Sequence, residues 1–253
     1  MTKESSPAQP GTVYLVGSGP GAHDLMTLRA VRLIADADVI VYDHLIADDA
    51  MTLAHPECER ICAGKKASNH TLPQGELNLL LVELARAGKR VVRLKGGDPF
   101  IFGRGGEEIE TLAAHGIPFE IVPGVTAAAG CAAYAGIPLT HRDHAQTVVF
   151  ATGHLKDGSV ALDWPALARP AQTVVFYMGV GGCAEICRQM VTHGLPSEHP
   201  AAVVENGTRR AQRVVVADLA TLAQRVVAER IASPALIIVG SVVKLHRQLA
   251  WYP

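Results

Sequence analysis

The residues best suited to chemistry lie in one glycine-rich run, RLKGGDPFIFGRGGEE, which spans residues 93–108. Its glycines permit positive φ and let a ligand approach the backbone closely. Ionisable side chains crowd the same segment, at Asp98, Arg104, Glu107 and Glu108. The run follows an apolar stretch typical of a strand and precedes helical spacing. It is therefore predicted to be a strand-to-helix loop that binds a ligand.

A second glycine-rich loop, Gly17–Ala22, fits the pattern G-x-G-x-x-A of dinucleotide-binding Rossmann folds, and Asp43 ends the next predicted strand. Pro20 argues against a nicotinamide dinucleotide, because proline removes a backbone N–H that would face the pyrophosphate. Helical spacing also begins late, near Thr27, which leaves a longer loop than that fingerprint allows. A structural turn and a loop for a different ligand remain the alternatives.

A phosphate chain is a poor match for the run 93–108. The sequence contains no G-x-x-x-x-G-K-[ST] motif, and Asp98 would repel phosphate.

Further candidates each have an ordinary structural alternative. Asp43 follows a strand, at the edge where open α/β sheets place ligands, although a helix cap would also use it. Lys65 ends another apolar segment, but paired lysines are typical of a solvated loop. Thr126, after a Pro-Gly turn, suits a helix cap, and Met178 alone is typical of a core residue.

Arginine side chains offer separate anchors for anions, since the planar guanidinium pairs well with carboxylates. Arg104, with Glu107 near it, and Arg142 are the candidates. Ordinary surface ion pairs are the alternative.

These residues must be positioned by an α/β fold, because Val- and Ile-rich runs alternate with helical spacing along the chain. The predicted strands are Thr12–Val16, Val39–Tyr42, Arg90–Leu94, Phe119–Val122, Thr147–Ala151, Thr173–Tyr177, Ala201–Glu205, Arg213–Ala217 and Ala235–Val239. The predicted helices are Thr27–Ala35, Gln74–Ala87, Glu107–His115, Ala127–Ala135, Cys183–His193 and Leu219–Glu229. A Pro-Gly turn at residues 123–124 suggests two α/β lobes, 11–122 and 123–253, the second with a more mixed sheet, after a disordered tail at 1–10.

Composition limits the possible partners. Lys and Arg number 23 against 24 acids, which gives no general electrostatic reason to bind nucleic acid or a membrane. The N-terminus is polar and no apolar segment reaches roughly 18 residues, so a cytoplasmic protein is expected. The five cysteines lack zinc-site spacing and the histidines form no H-E-x-x-H motif. Free thiols and no metal are therefore predicted.

Taken in order, these motifs resemble those of the S-adenosylmethionine-dependent tetrapyrrole methylases, over roughly residues 11–245. The run 93–108, together with Pro123–Ala128 and Gly136–Arg142, most closely resembles the uroporphyrinogen-III C-methyltransferases of that family. Ala22 stands where the family's first loop has an aspartate, and Asp24 follows two residues later. The resemblance implies two α/β lobes with the active site in the cleft between them, unlike a Rossmann methyltransferase.

The resemblance also implies roles for residues. Asp43 would be a proton acceptor and Lys65 a proton donor, while Arg104, Glu107 and Arg142 would bind the substrate. The S-adenosylmethionine contacts would be Pro20, Gly96, Gly97, Asp98, Ile101, Thr126, Ala127, Met178 and Gly207.

The implied reaction moves two methyl groups from S-adenosylmethionine to C2 and C7 of uroporphyrinogen III. It gives precorrin-2 through precorrin-1 for siroheme, cobalamin or heme d1 synthesis, in a homodimer. Other hypotheses are a methylase of the same fold acting on another precorrin or on a protein side chain, a Rossmann dehydrogenase, and a non-catalytic tetrapyrrole-binding module.

Overall fold

The computed structural model describes residues 7–44, 46, 48–64, 72–153 and 162–253. The chain divides into two compact units, Met1–Ala127 and Ala128–Pro253. The division falls after Ala127 rather than after Val122, because the loop that follows Val122 stays attached to the first unit. Its Gly124 N–H donates a hydrogen bond to Asp98 Oδ2 at 3.0 Å.

The described part of the first unit is a parallel sheet with helices on both faces. Its strands are β1 Val13–Gly17, β2 Val39–Tyr42, β3 Glu59–Cys62, β4 Val91–Lys95 and β5 Phe119–Val122. Its helices are α1 Leu28–Asp36, α2 Gln74–Arg86 and α3 Gly105–Ala114, with 3-10 turns at His23–Leu25 and Asp48–Leu53. The strands lie in the order β3-β2-β4-β1-β5, and every pairing is parallel.

Strand residues alternate between two apolar layers because successive side chains point to opposite faces. Tyr14 and Val16 pack in the layer that contains Leu33 of α1, whereas Val13 and Leu15 pack in the layer that contains Leu81 of α2. Burial on both faces explains the nearly continuous apolar run of β1.

The strand order excludes a dinucleotide-binding Rossmann arrangement. That fold has the order 3-2-1-4-5, whereas here β4 lies between β2 and β1. A 3-10 turn also separates the loop after β1 from α1, which begins at Leu28 with Thr27 Oγ1 accepting from Ala30 N at 3.2 Å. The late start of helical spacing is thus confirmed.

The second unit contains a mixed sheet, as predicted. Its strands are β6 Thr147–Thr152, β7 Gln172–Tyr177, β8 Pro200–Glu205, β9 Arg213–Asp218 and β10 Ala235–Val239, in the order β6-β7-β10-β8-β9. Only β6 and β7 pair in parallel among these strands. The helices are α4 Ala127–Tyr134, α5 Trp164–Leu167, α6 Cys183–Thr192, α7 Leu222–Ala228 and α8 His246–Leu249, with 3-10 turns at Val180–Gly182 and Ser241–Leu245. Phe176, Ile186 and Met190 are fully enclosed in its core.

Part of the N-terminal segment that was expected to be disordered packs against the first unit. Ala8 is buried in the core of the first unit, and Gln9 N donates to Tyr14 Oη at 2.9 Å. Residues 1–6 lie outside the described residues.

The cysteines are free thiols, as predicted, and all but the half-buried Cys62 are buried. Burial raises the pKa of Cys131 to about 12, so that this thiol stays protonated at neutral pH. Across the described part of the chain, every helix is too short or too polar to cross a bilayer.

An ion pair at the amino edge of the first sheet gives a testable pH dependence. The Arg90 side chain, bonded to Asp38, lowers the pKa of Asp38 from 3.8 to about 2. A carboxyl whose pKa is lower when folded stabilises the fold above its unfolded pKa and loses that effect as the pH falls through its folded pKa. We expect Asp38→Asn to lower the free energy of unfolding by about 1 kcal/mol at pH 7, since both side chains are about one-third exposed and screened. In urea unfolding, the difference in free energy of unfolding between the parent and Asp38→Asn should shrink between pH 4 and pH 2. A difference that stays constant over this range would contradict the prediction.

Candidate functional site

The carboxyl edge of the first sheet gathers the glycine-rich loops. Because its strands are parallel, the loops that follow β1, β2, β4 and β5 all leave from this edge, where open α/β sheets bind ligands. The loop after β1 is joined to the loop after β4 by two bonds between Gly19 and Gly97, of 3.2 and 2.7 Å. Ser18 N also donates to Lys95 O at 2.8 Å.

Three glycines let these loops meet backbone to backbone. A Cβ atom on Gly17 would lie 2.6 Å from Gly97 O and 2.7 Å from Gly124 N. A Cβ on Gly124 would overlap Gly97 O, and Gly97 itself has a φ of +64°. At Gly17 and Gly124 no other residue type fits without displacing backbone, and Gly97 has a φ that favours glycine. We call Gly17, Gly97 and Gly124 the glycine cradle.

Asp98 is held in a fixed orientation beside the cradle. Its Oδ1 accepts from Phe100 N at 2.9 Å, and its Oδ2 accepts from Gly124 N at 3.0 Å. The residue is half-buried. A carboxylate oxygen has two acceptor positions, so each oxygen retains capacity for a ligand donor.

The other predicted cofactor contacts of this unit lie in the same loops. Gly96 is exposed next to Gly97, while Pro20, Ile101, Thr126 and Ala127 are half-buried. The structure therefore brings all of them to the carboxyl edge of the sheet or to the chain that continues from it.

Asp43 lies at the end of β2 and accepts a hydrogen bond from a buried arginine, Arg93. Arg93 Nη2 donates to Asp43 Oδ1 at 2.7 Å, and the Asp43 side chain is 32% exposed whereas that of Arg93 is 3% exposed. Arg93 Nη1 also donates to Val41 O at 3.4 Å and Leu94 O at 3.3 Å. Asp43 is thus an oriented carboxylate with an open face.

Behind Arg93 lies Glu108, which is fully buried at the start of α3. Glu108 Oε1 accepts from Arg93 Nε at 3.1 Å, from Lys95 Nζ at 2.9 Å and from Gln74 Nε2 at 3.3 Å. Burial, and then the charge of Arg93, lower the pKa of Lys95, while Glu108 opposes that shift. We call Asp43, Arg93, Lys95 and Glu108 the buried charge cluster.

Lys65, the predicted proton donor, lies outside the described residues. The residue before it is described: a Cβ on Gly64 would lie 2.6 Å from His44 N, so the ends of β3 and β2 are in close contact.

Arg104 and Glu107, which were predicted to bind substrate, bind each other. Arg104 Nε and Nη2 donate to the two Glu107 oxygens at 2.8 and 2.6 Å, in a pair that is about half exposed. Arg104 has a left-handed backbone, with φ of +57°, immediately before α3. Arg142 is exposed in the second unit, where its carbonyl accepts from Gln146 Nε2 at 2.7 Å.

In the second unit, Met178 and Gly207 both lie in loops at strand ends. Met178 follows β7 with φ of +55° and is 54% exposed, which is unlike a core methionine. Gly207 follows β8 between Asn206 and Thr208, which also have positive φ, and a Cβ on Gly207 would overlap Cys131 Sγ. These two loops are held in defined, non-regular conformations.

Comparison with known proteins identifies the family. The sequence model of the Tetrapyrrole (Corrin/Porphyrin) Methylases matches residues 12–223. The chain belongs to this family. This tetrapyrrole methylase is 59% identical over 252 residues to a siroheme synthase of Nitrosospira multiformis, covering 100% of this chain and 53% of that protein. It thus spans about half the length of such relatives.

A solved structure resembles this methylase over most of both chains. The uroporphyrin III C-methyl transferase of Thermus thermophilus superposes with a TM-score of 0.80 at 40% identity, covering 92% of this chain and 94% of that one. The same Thermus protein in complex with S-adenyl homocysteine matches equally well. The predicted family and the two-unit α/β fold are confirmed.

Sequence patterns missed part of the site. Arg93, Lys95 and Glu108 received no predicted role, although two basic residues within an otherwise apolar strand were a usable signal. Such residues must find buried partners, and Glu108 is one of them.

Proposed function

We propose that this methylase is a uroporphyrinogen-III C-methyltransferase. It transfers two methyl groups from S-adenosylmethionine to C2 and C7 of uroporphyrinogen III and gives precorrin-2 through precorrin-1. The observation that carries this proposal is the 40% identity to the Thermus uroporphyrin III C-methyl transferase over 92% of this chain. Relatives named siroheme synthase support a product that supplies siroheme synthesis.

S-Adenosylmethionine is the methyl donor, and the loops of the first unit fit it. The molecule carries an ammonium and a carboxylate, which need acceptors and donors close together. The loops 17–22, 96–98 and 123–126 offer peptide groups, the Asp98 carboxylate and no lysine or arginine. A Cβ on Gly17 or Gly124 would overlap the backbone of a neighbouring loop, so only glycine at these positions lets the peptide groups of the three loops come together.

When bound, S-adenosylmethionine supplies an electrophilic methyl group on a sulfonium. The protein needs no covalent nucleophile, because a pyrrole carbon is electron-rich. The protein instead orients the reacting groups, an effect worth about 7–11 kcal/mol at best. Methyl transfer leaves the ring with one added positive charge, which the ring loses as a proton to Asp43, oriented by Arg93. Lys65 is the proposed donor that moves a second proton between ring positions and recovers it from the ring, so that one proton is released per methyl group.

Arg104 and Arg142 bind carboxylates of uroporphyrinogen III, which has eight of them, and Glu107 holds Arg104 until substrate arrives. An exposed ion pair contributes only about 0–1 kcal/mol, so a substrate carboxylate exchanges with Glu107 at little cost. Arginine's planar fork suits this exchange.

The functional unit is a homodimer, which light scattering would test.

The test is incubation of the purified protein with S-adenosylmethionine and uroporphyrinogen III under anaerobic conditions. We expect the mass of the tetrapyrrole to rise by two methyl groups, with two equivalents of S-adenosylhomocysteine formed. A control without the methyl donor should leave the mass unchanged. Methylation of only another precorrin would contradict the substrate, and binding without S-adenosylhomocysteine formation would mean a non-catalytic binding module.

A further inference from the structure

The buried charge cluster contains more charged residues than the proposed chemistry uses. Arg93, Lys95 and Glu108 are 2%, 3% and 0% exposed, in a strand and a helix of the first unit. Only Asp43 reaches solvent within the cluster. Two cations and two anions give no net formal charge, so the cluster is balanced as a set.

Stability alone is a poor explanation of this cluster. Charges lose hydration on burial, and apolar residues of similar size often stabilise a core at least as well. Glu108 Oε1 accepts three hydrogen bonds, while Oε2 is enclosed without a partner among the described residues. An unpartnered buried oxygen costs free energy. The arrangement therefore calls for a role in positioning.

The geometry of Arg93 indicates what is positioned. A guanidinium is planar, with its donors in a rigid fork. Arg93 donates through Nε to Glu108 and through Nη2 to Asp43, so fixing the Nε end also fixes the Nη2 end. Val41 O and Leu94 O, which accept from Nη1, restrict rotation of the plane.

We propose that Glu108 is a positioning residue for methyl transfer, which holds Arg93 so that Arg93 fixes the carboxylate of Asp43 at the carboxyl edge of the sheet. Lys95 shares Glu108 Oε1 and balances its charge. The inference rests on the proposed proton-accepting role of Asp43.

The test is a double-mutant cycle of Glu108→Gln with Asp43→Asn. Glutamine keeps the size of the side chain and removes its charge. We expect Glu108→Gln to lower kcat roughly tenfold, in the range for coupled neighbours, with KM and the affinity for S-adenosylhomocysteine changed less than about twofold. In the Asp43→Asn background, Glu108→Gln should lower kcat almost no further, because the Asp43 carboxylate that Glu108 positions is absent. A structural role would instead lower kcat by the same factor in both backgrounds.

Glu110→Gln is the matched control, since Glu110 lies on the same helix and is exposed. It should leave kcat unchanged. If Glu108→Gln alone fails to fold, the cycle is repeated with Lys95→Met/Glu108→Gln, which removes one charge of each sign. Equal losses with and without Asp43 would overturn the inference, whereas normal turnover of Asp43→Asn would overturn the proposed role of Asp43 itself.

Discussion

The Asp43→Asn variant is expected to bind S-adenosylhomocysteine normally and to turn over roughly 10²–10⁴-fold more slowly than the parent protein. Asparagine has almost the same size and its amide oxygen still accepts from Arg93, so the buried guanidinium keeps a partner. What is lost is the carboxylate that we propose as the proton acceptor. Asp43 follows β2, outside the glycine cradle, so cofactor affinity should not change.

Two measurements separate these effects: calorimetry for S-adenosylhomocysteine binding and mass spectrometry for methylated tetrapyrrole. Asp36→Asn is a suitable control, because it removes the same charge at the end of α1, at the opposite edge of the sheet. It should have parental turnover. Normal turnover of Asp43→Asn would remove Asp43 from the mechanism, and lost cofactor binding would make it a binding residue instead.

Local patterns predicted most elements of the fold. Every predicted strand and helix is present, because apolar spacing directly reflects which faces are buried. The strand β3 was missed because Glu59 and Arg60 are exposed at the edge of the sheet and break the apolar pattern. The short helix α5 was missed because its four residues span only about one turn.

The position of β4 between β2 and β1 could not be predicted. Strand order depends on how the connections between strands pack against the sheet, and the spacing of apolar residues along the sequence does not indicate it. Carboxyl-edge loops, by contrast, are predictable once strands are parallel, so Asp43 and Asp98 were correctly expected near strand ends. Arg93, which binds Asp43, and Gly124, which binds Asp98, lie 50 and 26 residues away from them in sequence, which is beyond any local pattern.

The buried charge cluster and the exposure of Met178 were missed for a related reason. Lys and Arg usually face solvent, but Arg93 and Lys95 are buried next to α3. Methionine is usually buried, but Met178 has a left-handed backbone and is exposed. In both cases tertiary context reversed the ordinary preference of the residue type.

The second large effect is expected from Gly124→Ala, which should abolish measurable S-adenosylhomocysteine binding and destabilise the first unit by about 1–3 kcal/mol. The added Cβ would overlap Gly97 O and approach Gly17, and these atoms belong to backbone that cannot rotate away. The loop after β5 must therefore shift. That shift would break the bond from Gly124 N to Asp98 Oδ2 and release the carboxylate that we propose to bind the cofactor.

Gly75→Ala is the matched control. Gly75 lies in the first turn of α2, and no atom would come within 4 Å of its Cβ. Alanine favours helix over glycine by up to about 1 kcal/mol, so this variant should be as stable as the parent or slightly more stable. Calorimetric titration and thermal unfolding of both variants separate lost binding from lost folding. Because Gly17 contacts the same atoms from the opposite loop, Gly17→Ala should reproduce the Gly124→Ala defect. If either alanine variant binds S-adenosylhomocysteine with parental affinity, the close approach of the three loops is not what forms the cofactor site.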